Sequence, residues 1–96
     1  MLVFFVVCSF ITPLNVHRKI ASTILGDCYF ETYIECSLDV CEKRDVKGLY
    51  KKARNGIIKN FTGIHDVYEV PKNPNIVLKT ELNTVEQCVE MMFNKL

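Results

Sequence analysis

Apolar residues are continuous at the start of the chain and periodic towards its end. Residues 2–10 form an almost unbroken run of β-branched and aromatic side chains, and Pro13 stops the run shortly afterwards. Such a run predicts a strand that is buried on both faces. The alternating segment 29–36 and the short β-branched segment 76–80 predict a second and a third strand.

Helical patterns lie between these strands. Residues 15–25 have apolar side chains at helical spacing, which predicts the first helix. Ser37 is a favourable N-cap for a short helix that runs through 41–44. Gly48 interrupts the pattern, and residues 49–54 predict a separate helix that carries several cations.

The last helix is the most regular one. Asn83 is predicted to cap it, with Glu86 three residues later as in a capping box. Residues 57–74 contain glycine and proline punctuation and are predicted to be mostly irregular. The apolar stripe of the last helix, which is interpreted as core packing, consists of Val85, Cys88, Val89, Met92, Phe93 and Leu96.

Strands that alternate with helices predict a layered α/β fold with three parallel strands. Ligands of such sheets bind beyond the carboxyl ends of the strands. The loops at those ends are residues 11–13, 36–37 and 80–81. The candidate site is therefore expected where these loops meet.

Length and composition restrict the class of protein. The 96 residues allow one small domain, 1–96, and 49% hydrophobic residues indicate a globular chain. A net charge of +1 is not typical of a domain that binds nucleic acid. The opening apolar run is far shorter than the about twenty residues that cross a bilayer, so no membrane association is expected.

The cysteines and histidines indicate no metal site and no nucleophilic hydrolase. Five cysteines, an odd number, include no pair at the spacing of a zinc or redox motif. We interpret them as reduced and mostly in the core, as expected in the cytoplasm. His17 and His65 lack partners at metal-ligand spacing, and no Gly-x-Ser-x-Gly motif occurs.

The segment that holds the candidate ligand-binding residues is basic and ends on an aromatic ring. A helix that follows Gly48 places Lys47, Lys51 and Arg54 along one side, where they can clamp a phosphate. Phe61 lies in a loop beside Gly63, where it can stack on a base. The alternative for these cations is an ordinary solvated face. Residues 10–13 allow two interpretations as well, a strand terminator or the mouth of a site.

Several segments together resemble the adenylyl-sulfate kinase family, which also supplies the kinase half of bifunctional 3'-phosphoadenylyl-sulfate synthases. The similarity extends from Phe4 to Leu96. Its most specific parts are 47–54 and 61–64. The segments that carry it are Phe10-Ile11-Thr12-Pro13, Cys41 to Arg54, Lys59-Asn60-Phe61-Thr62-Gly63-Ile64, Tyr68-Glu69 and Asn73-Pro74.

The resemblance implies a reaction and a set of roles. The family transfers the γ-phosphoryl group of ATP to the 3'-hydroxyl of adenylyl sulfate, with Mg²⁺. Thr12 occupies the position of a family serine that can be phosphorylated, and His65 stands where aspartate is usual. By position, the substrate-binding residues would be Ile11, Thr12, Arg18, Lys47 and Phe61, with Phe61 stacking on adenine. ATP-binding and lid residues would be Arg44, Lys51, Lys52, Arg54, Asn73 and Pro74.

The resemblance also implies parts that this chain does not contain. The sequence has no Gly-x-x-x-x-Gly-Lys-[Ser/Thr] loop and no Asp-Gly-Asp segment. Both would precede Met1, so the Mg²⁺ ligands are expected there, with no metal ligands in this chain. Residues 1–96 would then be the C-terminal part of a P-loop-kinase-like fold that lacks its central strand. Without that strand, the strands predicted at 2–10 and 29–36 would face a gap.

Two functions from different classes follow from this pattern. One is an adenylyl-sulfate kinase whose 96-residue chain is inactive alone, because the phosphate loop is missing. The other is a non-catalytic fragment that binds a nucleotide or complements a partner chain. The resemblance further implies a homodimer and a fused or paired sulfurylase.

Overall fold

The computed structural model describes residues 4–96, which form four α-helices and a two-stranded sheet. A short 3-10 turn, Gly26–Cys28, follows the first helix. The strands are β1, Thr32–Glu35, and β2, Ile76–Lys79. The α-helices are α1, Asn15–Leu25, α2, Leu38–Arg44, α3, Leu49–Arg54, and α4, Val85–Lys95.

The sheet is parallel, as the alternating order predicted. Thr32 pairs with Ile76 at one end, and Glu35 pairs with Lys79 at the other. Asn75 fixes the start of this register. Its backbone N–H donates to the carbonyl of Glu31 at 2.9 Å, and its side-chain oxygen accepts from the Glu31 N–H at 2.7 Å. The strands therefore end together, which brings their following loops to one edge.

The helices between the strands begin where the sequence predicted. The Ser37 hydroxyl accepts a hydrogen bond from the Val40 N–H at 3.3 Å and caps α2. Gly48 precedes α3 with a φ of 68°, a left-handed conformation that favours glycine. Because the backbone turns sharply there, α2 and α3 are two helices, not one.

One predicted strand is wrong in the described part of the chain. Residues 4–10 form no strand, and residues 2 and 3 of that prediction lie outside the described residues. Phe4 and Val7 are 79% and 82% exposed, so the run is not buried either. No strand in residues 4–96 lies beside this segment. A strand needs a neighbour to accept and donate its backbone hydrogen bonds, and apolar character does not replace one. The α/β class is confirmed with two parallel strands, not three.

Little of the apolar surface is covered. The buried hydrophobic residues are Ala53, Leu78 and Cys88. The accessible surface of 7983 Å² exceeds the about 5,700 Å² expected for a folded chain of 11.1 kDa. The radius of gyration is 15.3 Å, against about 13 Å for a compact domain of this length. The described chain is thus more open than an independent domain.

The cysteines are less buried than the sequence indicated. All five are free, but only Cys88 is buried, on the face of α4 that packs against β2. Cys36 and Cys41 are half-buried, whereas Cys8 and Cys28 are exposed. The apolar residues next to Cys8 in the sequence are themselves exposed, which explains why the prediction of a buried Cys8 is wrong. No helix in residues 4–96 has the length and hydropathy needed to cross a membrane.

The cap of α4 is Thr84, not the predicted Asn83. The Thr84 hydroxyl accepts from the Gln87 N–H at 3.2 Å, and the Gln87 side chain accepts from the Thr84 N–H at 2.8 Å. Asn83 instead donates from its side chain to the Lys79 carbonyl at 3.0 Å. The capping box exists but lies one residue further along the chain.

We expect Thr84→Ala to lower the free energy of unfolding by about 1 kcal/mol, because the replacement leaves the Gln87 N–H without its partner. Asn83→Ala is the matched control and should cost less, since the Thr84–Gln87 pair stays intact. Urea unfolding followed by circular dichroism measures both. An equal or larger loss in Asn83→Ala would contradict this assignment of the cap.

Candidate functional site

Arg18 is the one buried charged side chain in the described part of the protein, with 8% of its surface exposed. It lies one turn into α1, so its side chain points back towards the start of that helix. Its guanidinium donates to the backbone carbonyls of Thr12 and Glu69 and to the Asn15 side-chain oxygen. Its central carbon lies 5.6 Å from the centre of the Tyr68 ring. We call Thr12, Asn15, Arg18, Tyr68 and Glu69 the Arg18 cluster.

Two further hydrogen bonds close the Arg18 cluster. The Glu69 N–H donates to the Pro13 carbonyl at 2.8 Å, and the Asn15 N–H donates to the Glu69 carboxylate at 2.9 Å. Thr12 has a φ of 41°, which is strained for a β-branched residue. Ile11, beside it, is 66% exposed. The turn after residue 10 is thus held against residues 68–69 in a conformation that a free chain would avoid.

Tyrosines form the wall behind Arg18. The Tyr33 and Tyr68 rings are stacked with centroids 6.2 Å apart and planes at 20°. Burial raises the pKa of Tyr33, with a contribution from Tyr68. Burial and then the hydrogen bond to Glu31 raise the pKa of Tyr29 to about 12. The Tyr29 and Tyr33 phenols are therefore neutral at physiological pH, and the ring that faces the Arg18 cation is that of Tyr68.

A second group contains α3 and Phe61. The Asp45 carboxylate accepts from the backbone N–H groups of Tyr50 at 2.9 Å and Lys51 at 3.1 Å, and so anchors the start of α3. The Tyr50 ring meets the Phe61 ring edge-on, with centroids 4.9 Å apart and planes at 68°. Phe61 also donates its N–H to His65 Nδ1 at 2.9 Å. The ring expected to stack on adenine is therefore fixed to the helix that carries the cations.

The predicted cations divide into paired and unpaired ones. Arg54 forms an ion pair with Glu42 at 2.5 Å, which raises the pKa of Arg54, and Arg44 donates to the Thr80 carbonyl at 3.0 Å. Among these predicted cations, the ones whose side chains have no hydrogen-bond or ion-pair partner within residues 4–96 are Lys47, Lys51 and Lys52, all exposed. These lysines have their full donor capacity available for an anion.

Asn73 and Pro74 lie in the loop before β2. Asn73 is exposed and Pro74 is half-buried. Within residues 4–96, the Asn73 side chain makes no hydrogen bond. Asn73 and Pro74 therefore lie at the amino end of β2, opposite the edge where the loops after β1 and β2 meet.

The loops that follow β1 and β2 meet as the strand order predicted. The Ser37 N–H donates to the Glu81 carboxylate, and this bond, followed by the Ser37 side chain, lowers the pKa of Glu81. Nearby, burial and then a hydrogen bond to Cys36 raise the pKa of Cys41. Cys41 is thus protonated at neutral pH, which argues against a nucleophilic role for it.

Sequence reasoning missed the acidic residues that hold this site together. Glu69, Asp45 and Glu81 each accept a hydrogen bond from a backbone N–H. The position of Asp45, just before Gly48 and a helix, was a signal that could have identified it. Glu69 and Glu81 accept from residues 54 and 44 positions away, which no local pattern indicates.

The expectation that this chain holds no Mg²⁺ ligand stays a prediction. No group of three His, Cys, Asp or Glu side chains is arranged to hold a metal ion within 4–96. Asp45, Glu69 and Glu81 are engaged with backbone N–H groups, as described above. We therefore derive no step that passes through the metal.

Comparisons with known proteins identify the class that these features define. A model of the family described as adenylylsulphate kinase matches residues 2–79. An adenylyl-sulfate kinase of Clostridium kluyveri is 50% identical over 88 residues, which cover 92% of this chain and 44% of that protein. The Clostridium acetobutylicum adenylyl-sulfate kinase is 51% identical over 84 residues, which cover 88% and 42%.

A solved structure agrees with these relatives. The Mycobacterium tuberculosis APS kinase CysC in complex with AMPPNP and APS superposes with a TM-score of 0.75 and 41% identity. The match covers 85% of this chain and 49% of that one. The class of the chain is thus an α/β protein with the fold of these kinases over the part that it covers. It belongs to the adenylyl-sulfate kinase family, and it spans about half the length of the curated relatives it matches.

We expect the bond between Ser37 and Glu81 to make stability depend on pH. The folded pKa of Glu81 lies below its ordinary value of 4.5, so the stabilisation is complete above that value. It is lost as the pH falls through the lowered pKa. Unfolding measured from pH 7 to pH 3 should therefore show a shallower acid decline in Glu81→Gln than in the wild type.

Glu86→Gln is the control for this measurement, because Glu86 is an exposed carboxylate in the first turn of α4. It should leave most of the acid decline in place. Identical pH profiles for Glu81→Gln and the wild type would contradict the role of Glu81.

Proposed function

We propose that this chain is the substrate-recognising and covering part of an adenylyl-sulfate kinase. The complete activity transfers the γ-phosphoryl group of ATP to the 3'-hydroxyl of adenylyl sulfate and gives 3'-phosphoadenylyl sulfate. Residues 1–96 would be the C-terminal part of the kinase domain. The observation that carries the proposal is the fixed contact between Phe61 and Tyr50 at the start of the lysine-bearing helix α3.

Phe61 would recognise the base of adenylyl sulfate. One face of an aromatic ring can stack on adenine, while the contact with the Tyr50 ring holds the Phe61 ring and the bond to His65 fixes the Phe61 backbone. Because the ring is held before the ligand arrives, less conformational freedom is lost on binding. Ile11 and Thr12 would complete the substrate side.

Lys47, Lys51 and Lys52 would act on the anionic part of the ligands. Phosphoryl transfer depends on positioning and on charge stabilisation more than on covalent chemistry. Cations that close over the site exclude water and neutralise negative charge as it develops. Arg54, bound to Glu42, would keep its place through that ion pair, and Arg44, bonded to the Thr80 carbonyl at the edge where the loops meet, would lie towards ATP. The ATP role of Asn73 and Pro74 stays a prediction, since they lie at the opposite end of β2.

The family relationship implies ATP as phosphoryl donor, and Mg²⁺ would be held by residues outside this chain. A cytoplasmic location, a homodimer and a fused or paired sulfurylase remain parts of the proposal. The M. tuberculosis complex with AMPPNP and APS supports both nucleotides as ligands of the family fold.

We expect Phe61→Ala to weaken adenylyl-sulfate binding by about 1–3 kcal/mol, the contribution of one stacked base. The measurement is the KM for adenylyl sulfate in a complete kinase that contains this chain. The KM for ATP should change little, and Phe30→Ala, in a half-buried aromatic residue before β1, is the control variant. An unchanged KM for adenylyl sulfate in Phe61→Ala would refute the stacking role.

A complementing fragment is the second candidate, and the uncovered apolar surface favours it. About 2,300 Å² more surface is accessible than a folded chain of this mass exposes, an area typical of permanent interfaces. Phe5 and Phe10 are 77% and 79% exposed, and Ile34 of β1 is 58% exposed. A chain that supplies the missing strand and the phosphate loop would cover this surface.

We expect the 96-residue chain alone to show no adenylyl-sulfate kinase activity, because its sequence has no loop for the β- and γ-phosphates. Adding the amino-terminal half of the C. kluyveri relative should restore turnover, and light scattering should show a one-to-one complex of the two chains. Lys47→Ala in this chain is the activity control. Turnover by the chain alone would contradict the first expectation, and a mixture that neither associates nor turns over would contradict complementation.

A further inference from the structure

Arg18 matches a family substrate-binding position, yet its surroundings in this structure are those of a residue that binds its own chain. Its side chain is buried, and its guanidinium is occupied by two backbone carbonyls and one amide oxygen. The Tyr68 ring covers it on one side. A buried guanidinium with three acceptors and an aromatic neighbour has little capacity left for a ligand.

The two carbonyls that Arg18 joins lie far apart in sequence. Thr12 precedes it by six residues, and Glu69 follows it by 51. Arginine can bridge two acceptors because its donors form a planar fork, whereas lysine presents a single point charge. The bridge therefore fixes the turn at Thr12 relative to the turn at Glu69.

The conformation of Thr12 indicates what this bridge stabilises. A φ of 41° is unfavourable for threonine and persists only where the surroundings enforce it. The Arg18 donation to the Thr12 carbonyl and the Glu69 donation to the Pro13 carbonyl hold the two sides of that turn. Since the backbone determines where the side chain of Thr12 points, these bonds also orient its hydroxyl.

We propose that Arg18 is a positioning residue that keeps Thr12 in its left-handed conformation and does not itself contact adenylyl sulfate. The assignment rests on the proposed function only in placing Thr12 beside that ligand. It predicts that the effect of losing Arg18 is local to the Arg18 cluster. It also predicts that the effect depends on which residue occupies position 12.

The first test is amide hydrogen exchange on the 96-residue chain. Arg18→Lys keeps the charge and removes the fork, so exchange at the N–H groups of Asn15 and Glu69 should rise about tenfold. The N–H of Cys88, bonded to the Thr84 carbonyl in α4, is the internal reference and should not change. Lys19→Ala, an exposed neighbour on α1, is the matched control.

Unchanged exchange at Asn15 and Glu69 would overturn the proposal. An equal rise at Cys88 would overturn it as well, because Arg18 would then support the whole fold and not the Thr12 turn. This readout requires no kinase activity, so it fails independently of the proposed function.

The second test uses Thr12→Gly in a complete kinase that contains this chain. Glycine adopts positive φ without strain, so the turn should persist without Arg18. Arg18→Lys should raise the KM for adenylyl sulfate about tenfold with Thr12 present and about threefold or less in the Thr12→Gly background. Equal factors in both backgrounds would show that Arg18 acts without Thr12 and would overturn the proposal. A complete wild-type kinase that does not turn over adenylyl sulfate would instead refute the proposed function.

Discussion

The parallel pairing of β1 with β2 is the constraint on which the arrangement depends. The register runs from Thr32 opposite Ile76 to Glu35 opposite Lys79, so both strands end at the same level. The loops after them then lie side by side, and Ser37 can reach Glu81 while Arg44 reaches Thr80. Because α2 begins at one of these loops, the position of α2 follows from one pair of short strands.

Hydrogen bonds to backbone groups connect much of this structure, a role that a hydrophobic core has in larger domains. Few apolar side chains are buried, yet the loops are well connected through carboxylates and carbonyls. Each of these bonds satisfies a donor at a turn or at the start of a helix, where no regular partner exists. The site geometry therefore has local support, even though much of the sheet surface and of α1 is uncovered.

The elements with local signals were predictable from the sequence. The bounds of α1 and α3 agree with the prediction, because helical spacing and the Gly48 break are both short-range features. The strand predicted at the start of the chain is wrong at residues 4–10, because a strand depends on a neighbouring strand that sequence periodicity cannot reveal. For α4, Asn83 and Thr84 are both good caps, and the choice between them depends on which one Gln87 can reach.

The candidate site shows the same division. Lys47, Lys51 and Phe61 stood out because cations and an aromatic ring in one short segment are unusual, and the structure links Phe61 to α3. The contact between Arg18 and Glu69 crosses 51 residues, so residue type alone could not show it. The ligand-binding roles expected for Thr12 and Arg18 came from the resemblance, and the strained backbone at Thr12 was visible only in three dimensions.

The bond from the Phe61 N–H to His65 Nδ1 requires a hydrogen-bond acceptor at position 65. A nitrogen that accepts this bond carries no hydrogen, so the ring proton is on Nε2 in that tautomer. The turn requires only an acceptor within reach of one amide, and the carboxylate of an aspartate meets the same requirement. The aspartate that the resemblance implies at this position would replace one acceptor by another. Any side chain that supplies such an acceptor at position 65 would thus support the backbone at position 61 in the same way.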